Sequence, residues 1–410
     1  MTIFQNITRE FFFDKVTYAA ILGLCFFIPF SKGAIETCVI ISIFAFIGHQ
    51  FSQKRFPSIT IPLWKSLLAY VLAIILSTIN SEFGYLSFRG VLKVLKYISI
   101  FIVSAHTIRT EKRLEIWVKV LLVSALLSCL NAFYQSGTGW DFRHEYSVLI
   151  YDGVARLAGS FNHPNNFAAY IVVSFLILLF MPMKQSWRRL KWVTLILLLW
   201  VCYLTKSRTP LILLCTILLI VGFLSKPYQK IALSALLFIL ITVTLYSYYD
   251  PEYWPRLVNI IKGDARLDYW RISWGLVHSH PLFGSGTNTF MQEFARVANY
   301  DMYGQTRFMY AHSFIFQRLV EIGFIGLGIF FILLAAFYVY AVKGLSLLKG
   351  SIRKSVFGIL AAITVFLLHA AIDNDLNSLQ LSSFFWMILG VVAAFTHLPF
   401  TQTPQTSAPH

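Results

Sequence analysis

Cationic side chains at the edges of apolar segments are the groups in this sequence best suited to hold an anion. Arg208 stands in LTKSRTPLI, a break between two apolar segments, and Pro210 fits the first turn of the following helix. A guanidinium held at a helix N-terminus is suited to bidentate contact with phosphate oxygens. The other cations in such positions are Arg89, Lys93, Lys96, Arg156, Lys206, Arg266 and Arg271. Ionisable groups at membrane depth are costly and usually functional, so the set predicts a bound anion.

Arg89, Lys93 and Lys96 are spaced i, i+4, i+7 and therefore share one face of a helix. Facing lipid, such a stripe would be expensive, and a bound anion would remove that cost. The alternative is that these side chains extend to the membrane interface or pair with carboxylates such as Glu82 and Asp268.

His312, in YAHSFIFQRLVEIGFIG, lies where a long polar segment meets an apolar one. A histidine titrates near neutral pH and can act as a general base, so His312 is the candidate catalytic base. The alternative is an interfacial histidine satisfied by a loop carbonyl. Gly323 and Gly326 follow on the same apolar segment and are typical of close helix packing.

Other catalytic schemes find no support in the sequence. It contains no HExxH pair, GxSxG elbow, Walker loop or clustered Cys/His ligand set, so neither a metal nor a cofactor is predicted. Asp373 and Asp375 in DNDLNS could bind a cation or sugar hydroxyls, but turn and capping chemistry explains them equally well.

The composition requires most of the surface to face lipid. Of the 410 residues, 57% are hydrophobic and only 13% charged, against about 25% in soluble proteins, and the mean hydropathy is +0.68. A soluble enzyme, a disordered chain and a fibrous repeat are excluded. Half of the 34 Lys and Arg residues behind the formal charge of +16 lie in segments predicted to be cytoplasmic loops, which removes the main argument for nucleic acid.

An all-α polytopic membrane protein with about 12 transmembrane helices is predicted, because backbone in hydrocarbon must satisfy its own hydrogen bonds. The apolar stretches are 16–31, 33–49, 61–79, 89–106, 115–135, 165–183, 190–206, 208–224, 229–248, 313–342, 355–372 and 381–398.

Basic segments alternate with the predicted spans and set the orientation, with both termini in the cytoplasm. The polar segments 136–164 and 249–312 then face outward, and the second is too long for a turn. The predicted division is residues 1–248 with helices 1–9, 249–312 as one large periplasmic loop, 313–398 with helices 10–12, and a cytoplasmic tail at 399–410.

Four segments in order resemble the signatures of the O-antigen ligase and O-antigen polymerase superfamily. They are RLAGSFNHPNNFAAY, LTKSRTPLI, ARLDYWRISWGLVHSHPLFGSGTNTF and AHSFIFQRLVEIGFIGLGIFF, within residues 156–330. In the last, His312, Ser313, nine residues, Gly323 and Gly326 resemble the His-(Asn/Ser/Gln)-x9-Gly-x-x-Gly pattern of the ligases. Leu327 and Gly328 depart from it, since several members carry threonines there.

The resemblance implies a metal-independent GT-C glycosyltransferase that uses a glycan on undecaprenyl diphosphate at the periplasmic face of the bacterial inner membrane. By position it implies His312 as the base and Arg208 and Arg266 as catalytic ligands of the diphosphate. The further substrate-binding candidates are Arg156, Arg89, Lys96 and Arg271.

An O-antigen ligase, which transfers the glycan onto a lipid A-core sugar, is favoured by the nine-residue spacing after His312 and by the single dominant outward loop. A polymerase that uses the same donor and a second lipid-linked repeat as acceptor is the first alternative. A transporter of a lipid-linked anion is the second, and it needs a site reachable from both sides of the membrane. The outward clustering of the cations and His312 disfavours it.

Overall fold

The computed structural model describes residues 2–53, 60–79, 81–151, 154–249, 266–297 and 310–397. The described chain is mostly helical. The helices are α1 (Thr2–Phe27), α2 (Lys32–Ser52), α3 (Trp64–Ile79), α4 (Gly84–Thr107), α5 (Glu111–Thr138), α6 (Pro164–Phe180), α7 (Gln185–Leu204), α8 (Arg208–Leu224), α9 (Gln229–Tyr249), α10 (Arg266–Ser279), α11 (Phe290–Val297), α12 (Phe314–Leu347), α13 (Gly350–Ile372) and α14 (Leu379–Thr396).

Each of the twelve predicted apolar stretches overlaps one of the helices α1–α9 and α12–α14. By length and composition, α2, α5, α12, α13 and α14 are able to cross a membrane. The pair Arg208–Phe223 and Lys226–Ile241, bent by 119°, makes a sixth if it is taken as one span. The protein is a polytopic membrane protein, and the number of twelve spans stays a prediction.

Two helices form the centre of the bundle, because nearly every residue of α6 and α14 is buried. Helix α14 packs against α4, and α6 packs against α13. The contact of α14 with α4 is close, since a β-carbon at Gly390 would lie 2.4 Å from the carbonyl oxygen of Phe101. The outer helices leave large apolar side chains exposed, such as Phe44 on α2 and Phe223 on α8, as expected of surfaces that face lipid.

The polar segment 136–164 carries a small β-hairpin. Strands β1 (Leu149–Tyr151) and β2 (Val154–Arg156) pair antiparallel with Leu149 opposite Arg156. The hairpin leads directly into the N-terminus of α6 and so fixes where Arg156 lies.

The described part of the predicted large loop contains α10, α11, the turn between them and residues 310–312, which lead into α12. Residues 250–265 and 298–309 lie outside the described residues, as does the predicted tail at 399–410. The periplasmic location of the loop and the cytoplasmic location of the termini therefore stay predictions.

Helix α12 is interrupted at Gly323, whose backbone lies at φ 64° and ψ −174°. The interruption exposes backbone groups on both of its sides, and the PLFGSG segment at residues 281–286 bonds to them. The backbone N–H groups of Ser285 and Gly286 donate to the carbonyls of residues 320 and 321, at 2.9 Å each. In return, residues 324 and 325 donate to the carbonyls of residues 281 and 282, at 2.8 and 3.2 Å. The turn after α10 is thereby fixed on α12.

Candidate functional site

Asp373, the first residue after α13, joins the ends of several helices. Its carboxylate accepts hydrogen bonds from the Nδ2 of Asn165, at the start of α6, at 2.6 Å and from the backbone N–H of Asn374 at 2.8 Å. Its carbonyl accepts the backbone N–H of Phe314, the first residue of α12, at 3.2 Å. The Asp373 side chain is only 6% exposed. A buried carboxylate at this junction requires charged or hydrogen-bonding partners.

His312 and Arg266 supply two of those partners. The Nδ1 of His312 lies 3.5 Å from Oδ1 of Asp373, and the Nη2 of Arg266 lies 3.6 Å from Oδ2. Both side chains remain partly exposed, at 28% and 24%, and can therefore meet a ligand. The structure brings these two predicted catalytic residues together on the carboxylate of Asp373, for which the sequence leaves ligand binding and turn chemistry equally open.

The backbone around His312 explains how it reaches Asp373. His312 has φ 48°, in the left-handed region that is unfavourable for a non-glycine residue. Ser313 then caps α12: its Oγ accepts the N–H of Phe316 at 3.4 Å and donates to the carbonyl of Ala371 at 2.8 Å. The serine fixes the start of α12 against the end of α13, and the strained residue before it turns its ring toward Asp373.

Helix α10 presents a second ring beside the histidine. Tyr269 lies three residues after Arg266, on the same helical face, and its ring stacks on His312 with centroids 5.6 Å apart. Burial raises the pKa of Tyr269, so this phenol stays neutral. One face of α10 therefore carries both the cation and the aromatic contact of the site.

The environment holds Asp373 ionised. Burial opposes ionisation, but the hydrogen bond to His312 and the positive charges of His369 and Arg266 outweigh it, so the pKa of Asp373 lies well below its usual range. Asp375 differs, because burial raises its pKa, and it contacts the Nδ1 of His369 at 2.5 Å. The surroundings of these two neighbouring carboxylates therefore shift their pKa values in opposite directions.

Arg156 supports the site from behind. Its Nη2 donates to the Oδ1 of Asn165 at 2.8 Å, and its Nε donates to the carbonyl of Thr205 at 2.9 Å. The Oγ of Ser207, the residue before α8, donates to the same Asn165 oxygen at 3.0 Å. Arg156 is therefore connected to Asp373 through one amide.

Arg208 is the first residue of α8 and is partly buried, directly after Ser207. Among the residues that the structure describes, it makes no contact with Asp373 or His312. Its place next to the Asn165 network puts it at the same end of the bundle. Its predicted role as a diphosphate ligand stays a prediction.

The other predicted cations lie away from this cluster. Arg89 is exposed and packs over the ring of Tyr85, while Lys96 pairs with Glu36 at 2.6 Å. Arg271 is 82% exposed and pairs with Asp268 at 3.1 Å. The ion pair of Lys96 provides the compensation that the sequence analysis expected from a bound anion. Substrate binding by Arg89, Lys96 and Arg271 stays a prediction.

A cavity of about 430 Å³ opens beside His312 and Asp373, within the usual size of ligand sites. We call it the His312 cavity. It is lined by Lys32, Asn162, His163, Asn166, Tyr310, His312, Asp373, Asn374, Asn377, Ser378, Leu379 and Gln380. The buried amide of Asn374 has no hydrogen-bond partner among the described residues. Amides, hydroxyls and an aromatic ring around a cation are groups that suit a polyhydroxylated anionic ligand.

His163 forms part of the same wall and caps α6, because its Nδ1 accepts the backbone N–H of Asn165 at 3.2 Å. Burial, together with the positive charges of Arg156 and Arg266, lowers the pKa of His163 to about 4 and outweighs the attraction of Asp373. It is therefore neutral at pH 7 and acts as a cap. Within the described ranges, no group of three or more His, Cys, Asp or Glu side chains could hold a metal ion.

Sequence reasoning missed Asp373, Asn165 and Tyr269 as members of the site. The motif DNDLNS had signalled two adjacent carboxylates, and SFNHPNN had signalled clustered amides. The sequence does not show that these two motifs meet each other beside His312, because 208 residues separate Asn165 from Asp373 along the chain.

Residues 193–331 match the family model described as O-antigen ligase. The matched range covers three of the four ordered motifs and contains Arg208, Arg266 and His312; it ends before Asp373. No curated protein matches the chain. The match over residues 193–331 supports the resemblance of this part of the chain to the O-antigen ligase and polymerase superfamily.

Proposed function

We propose that this protein is an O-antigen ligase, a metal-independent inverting glycosyltransferase. It would move a glycan from undecaprenyl diphosphate onto a lipid A-core sugar at the periplasmic face of the inner membrane. The observation that carries the proposal is the joint contact of His312 and Arg266 with the ionised carboxylate of Asp373, beside a polar cavity.

His312 acts as the general base. An acceptor hydroxyl is a poor nucleophile, so its attack on the anomeric carbon is assisted when the imidazole takes its proton. Asp373 contacts the ring at Nδ1, which directs Nε2 toward the substrates and stabilises the imidazolium that forms. As the new carbon–oxygen bond forms, the bond between the anomeric carbon and the diphosphate breaks, and its electron pair leaves with the diphosphate. Attack opposite the leaving group inverts the anomeric centre.

The leaving diphosphate requires cationic neighbours. Lys32 lines the cavity, Arg266 contacts Asp373, and Arg156 lies behind Asn165, so three cationic side chains surround one ionised carboxylate. This net positive charge, placed before the reaction begins, stabilises the negative charge that develops on the leaving oxygen. Arg208, at the N-terminus of α8, would be a further ligand of the diphosphate.

The acceptor decides between ligase and polymerase, because both use the same donor and leaving group. Purified protein is incubated with undecaprenyl-diphosphate-linked glycan and with either lipid A-core or a second lipid-linked repeat, in the presence of a divalent-metal chelator. Product on lipid A-core supports the ligase. Chain growth on the lipid carrier alone makes the protein a polymerase. Donor binding without transfer to either acceptor favours the transporter.

A further inference from the structure

A second, smaller cavity of about 110 Å³ adjoins the His312 cavity and is not explained by donor binding. It lies between α4, α11, the first two turns of α12 and the turn after α13. Tyr310 and Asn377 line both cavities. We call it the Glu321 cavity, after the carboxylate in its wall.

The wall of the Glu321 cavity contains a buried ion pair. The Nη1 of Arg318 lies 2.7 Å from Oε2 of Glu321, and the two side chains are 11% and 1% exposed. The Nε2 of Gln317 donates to the other Glu321 oxygen at 3.1 Å. Arg318 and Glu321 balance each other's charge. Lys93 also lines the cavity, and its Nζ donates to the Oδ1 of Asn288 at 2.6 Å.

Several polar atoms of this wall lack a partner. The Oε1 of Gln317, the Oε1 of Gln292 and the Nε of Arg318 are buried and make no hydrogen bond among the described residues. Gln317 as a whole is only 3% exposed. Buried polar groups are normally hydrogen-bonded, and leaving one unsatisfied is unfavourable. Two acceptors and one donor that line the same cavity therefore call for a ligand with both hydroxyl hydrogens and hydroxyl oxygens.

We infer that the Glu321 cavity binds a neutral sugar residue of the acceptor glycan, next to the residue whose hydroxyl attacks. The inference rests on the proposed function and names the site of its second substrate. The cations of this wall are already engaged, Arg318 by Glu321 and Lys93 by Asn288, so the groups left for a ligand are the uncharged amides. A sugar hydroxyl both donates and accepts, and it meets the carboxylate, the guanidinium and the two amides. The rings of Tyr97, Phe290 and Tyr310 in the same wall supply apolar surface for a sugar face.

The positions of the two cavities suit a transfer between two bound substrates. A base must lie between the acceptor hydroxyl and the anomeric carbon, so the two substrates must approach His312 from adjoining subsites. The His312 cavity has the cations that suit the charged donor. The Glu321 cavity shares Tyr310 and Asn377 with it and has the uncharged amides that suit a neutral glycan.

The experiment measures binding in the absence of turnover. Full-length protein with His312→Ala is titrated with lipid-free core oligosaccharide by calorimetry, alone and combined with Gln317→Leu or Gln292→Leu. Each substitution preserves the approximate volume and removes one unpartnered carbonyl oxygen, and Gln317→Leu also removes the hydrogen bond to Glu321. We expect the Kd for the oligosaccharide to rise about tenfold in either combination, with the thermal midpoint of the Gln292→Leu protein unchanged. Gln185→Leu, at an exposed position on α7, is the matched control and should leave the Kd unchanged.

The kinetic counterpart uses the same glutamine variants with His312 intact. The KM for the lipid A-core acceptor should rise about tenfold while the KM for the donor stays constant, and Lys32→Met should show the opposite pattern. A rise in the donor KM alone, an unchanged Kd in both glutamine variants, or no binding of the oligosaccharide to the parent protein would overturn the inference. Binding that depends on Gln317 and Gln292 in a protein that transfers nothing would instead contradict the proposed function and leave the subsite standing.

Discussion

Replacement of Asp373 by asparagine should slow glycan transfer and leave the protein folded. Asparagine keeps an oxygen that can accept the hydrogen bond of Asn165, so the junction of α6 and α13 is preserved. What is lost is the negative charge beside His312. The substitution therefore separates the electrostatic role of the carboxylate from its structural one.

The size of the effect follows from the geometry. A positive charge on the imidazole at 3.5 Å from the carboxylate is stabilised by about 5 kcal/mol at an effective dielectric constant of about 20. If the proton is transferred about halfway in the transition state, about half of this stabilisation, roughly 2.5 kcal/mol, is lost. Since each 1.36 kcal/mol is a factor of ten, kcat should fall roughly 50- to 100-fold. The donor KM should not rise, because Arg266 no longer shares its charge with Asp373.

The assay is initial-rate transfer at saturating donor and acceptor in detergent, with the thermal midpoint measured on the same preparations. Asp268→Asn is the matched control, since Asp268 pairs with the exposed Arg271 outside the cluster. Combined with His312→Ala, Asp373→Asn should add no further loss, because the carboxylate acts through the histidine. A folded Asp373→Asn protein with kcat within about threefold of wild type would refute the reasoning.

Three further predictions test the supports of the site. Gly323→Ala should lower the thermal midpoint and the transfer rate. The φ of Gly323 is +64°, and a β-carbon there would lie 2.3 Å from a carbonyl oxygen of segment 281–286. Gly328→Ala, at a position with open space around it, should lower neither. The pKa of His163 is about 4 in the folded protein against 6.5 in the unfolded chain. Stability should therefore fall as the pH drops from 6.5 toward 4, because only the unfolded state gains the proton in this range. In His163→Asn, which keeps a capping side chain, the loss of thermal midpoint between pH 7 and pH 5 should be smaller. Arg266→Ala should raise the donor KM and lower kcat, whereas Arg271→Ala, at an exposed position, should change either by less than about twofold, as measured by donor titration.

The helices were predictable from the sequence because each apolar stretch has the length and composition that a buried or lipid-facing helix requires. His312 and Arg266 were predictable as candidates because polar residues of these types next to apolar segments are costly. Their common partner Asp373 was not predictable, because it belongs to a turn motif that turn and capping chemistry explains without His312 or Arg266. Only the meeting of α6, α10, α12 and α13 makes it a site residue.

Other features show the same limit. The spacing of Arg89, Lys93 and Lys96 correctly indicates one helical face, but no periodicity identifies Glu36 and Asn288 as the partners of the two lysines. Gly323 was expected to allow close helix packing. In the structure it interrupts α12 so that a loop can bond to the freed backbone groups, which depends on a segment 40 residues earlier in the chain.

The central claim is that His312 is the base of a glycan transfer from a lipid-linked diphosphate. It is tested most directly by measuring transfer and donor binding side by side in wild type and His312→Ala, with lipid A-core as acceptor and a divalent-metal chelator present. The account predicts that the variant binds the donor with an unchanged Kd and forms product at least about 100-fold more slowly. Wild-type rates in a folded His312→Ala protein would contradict it.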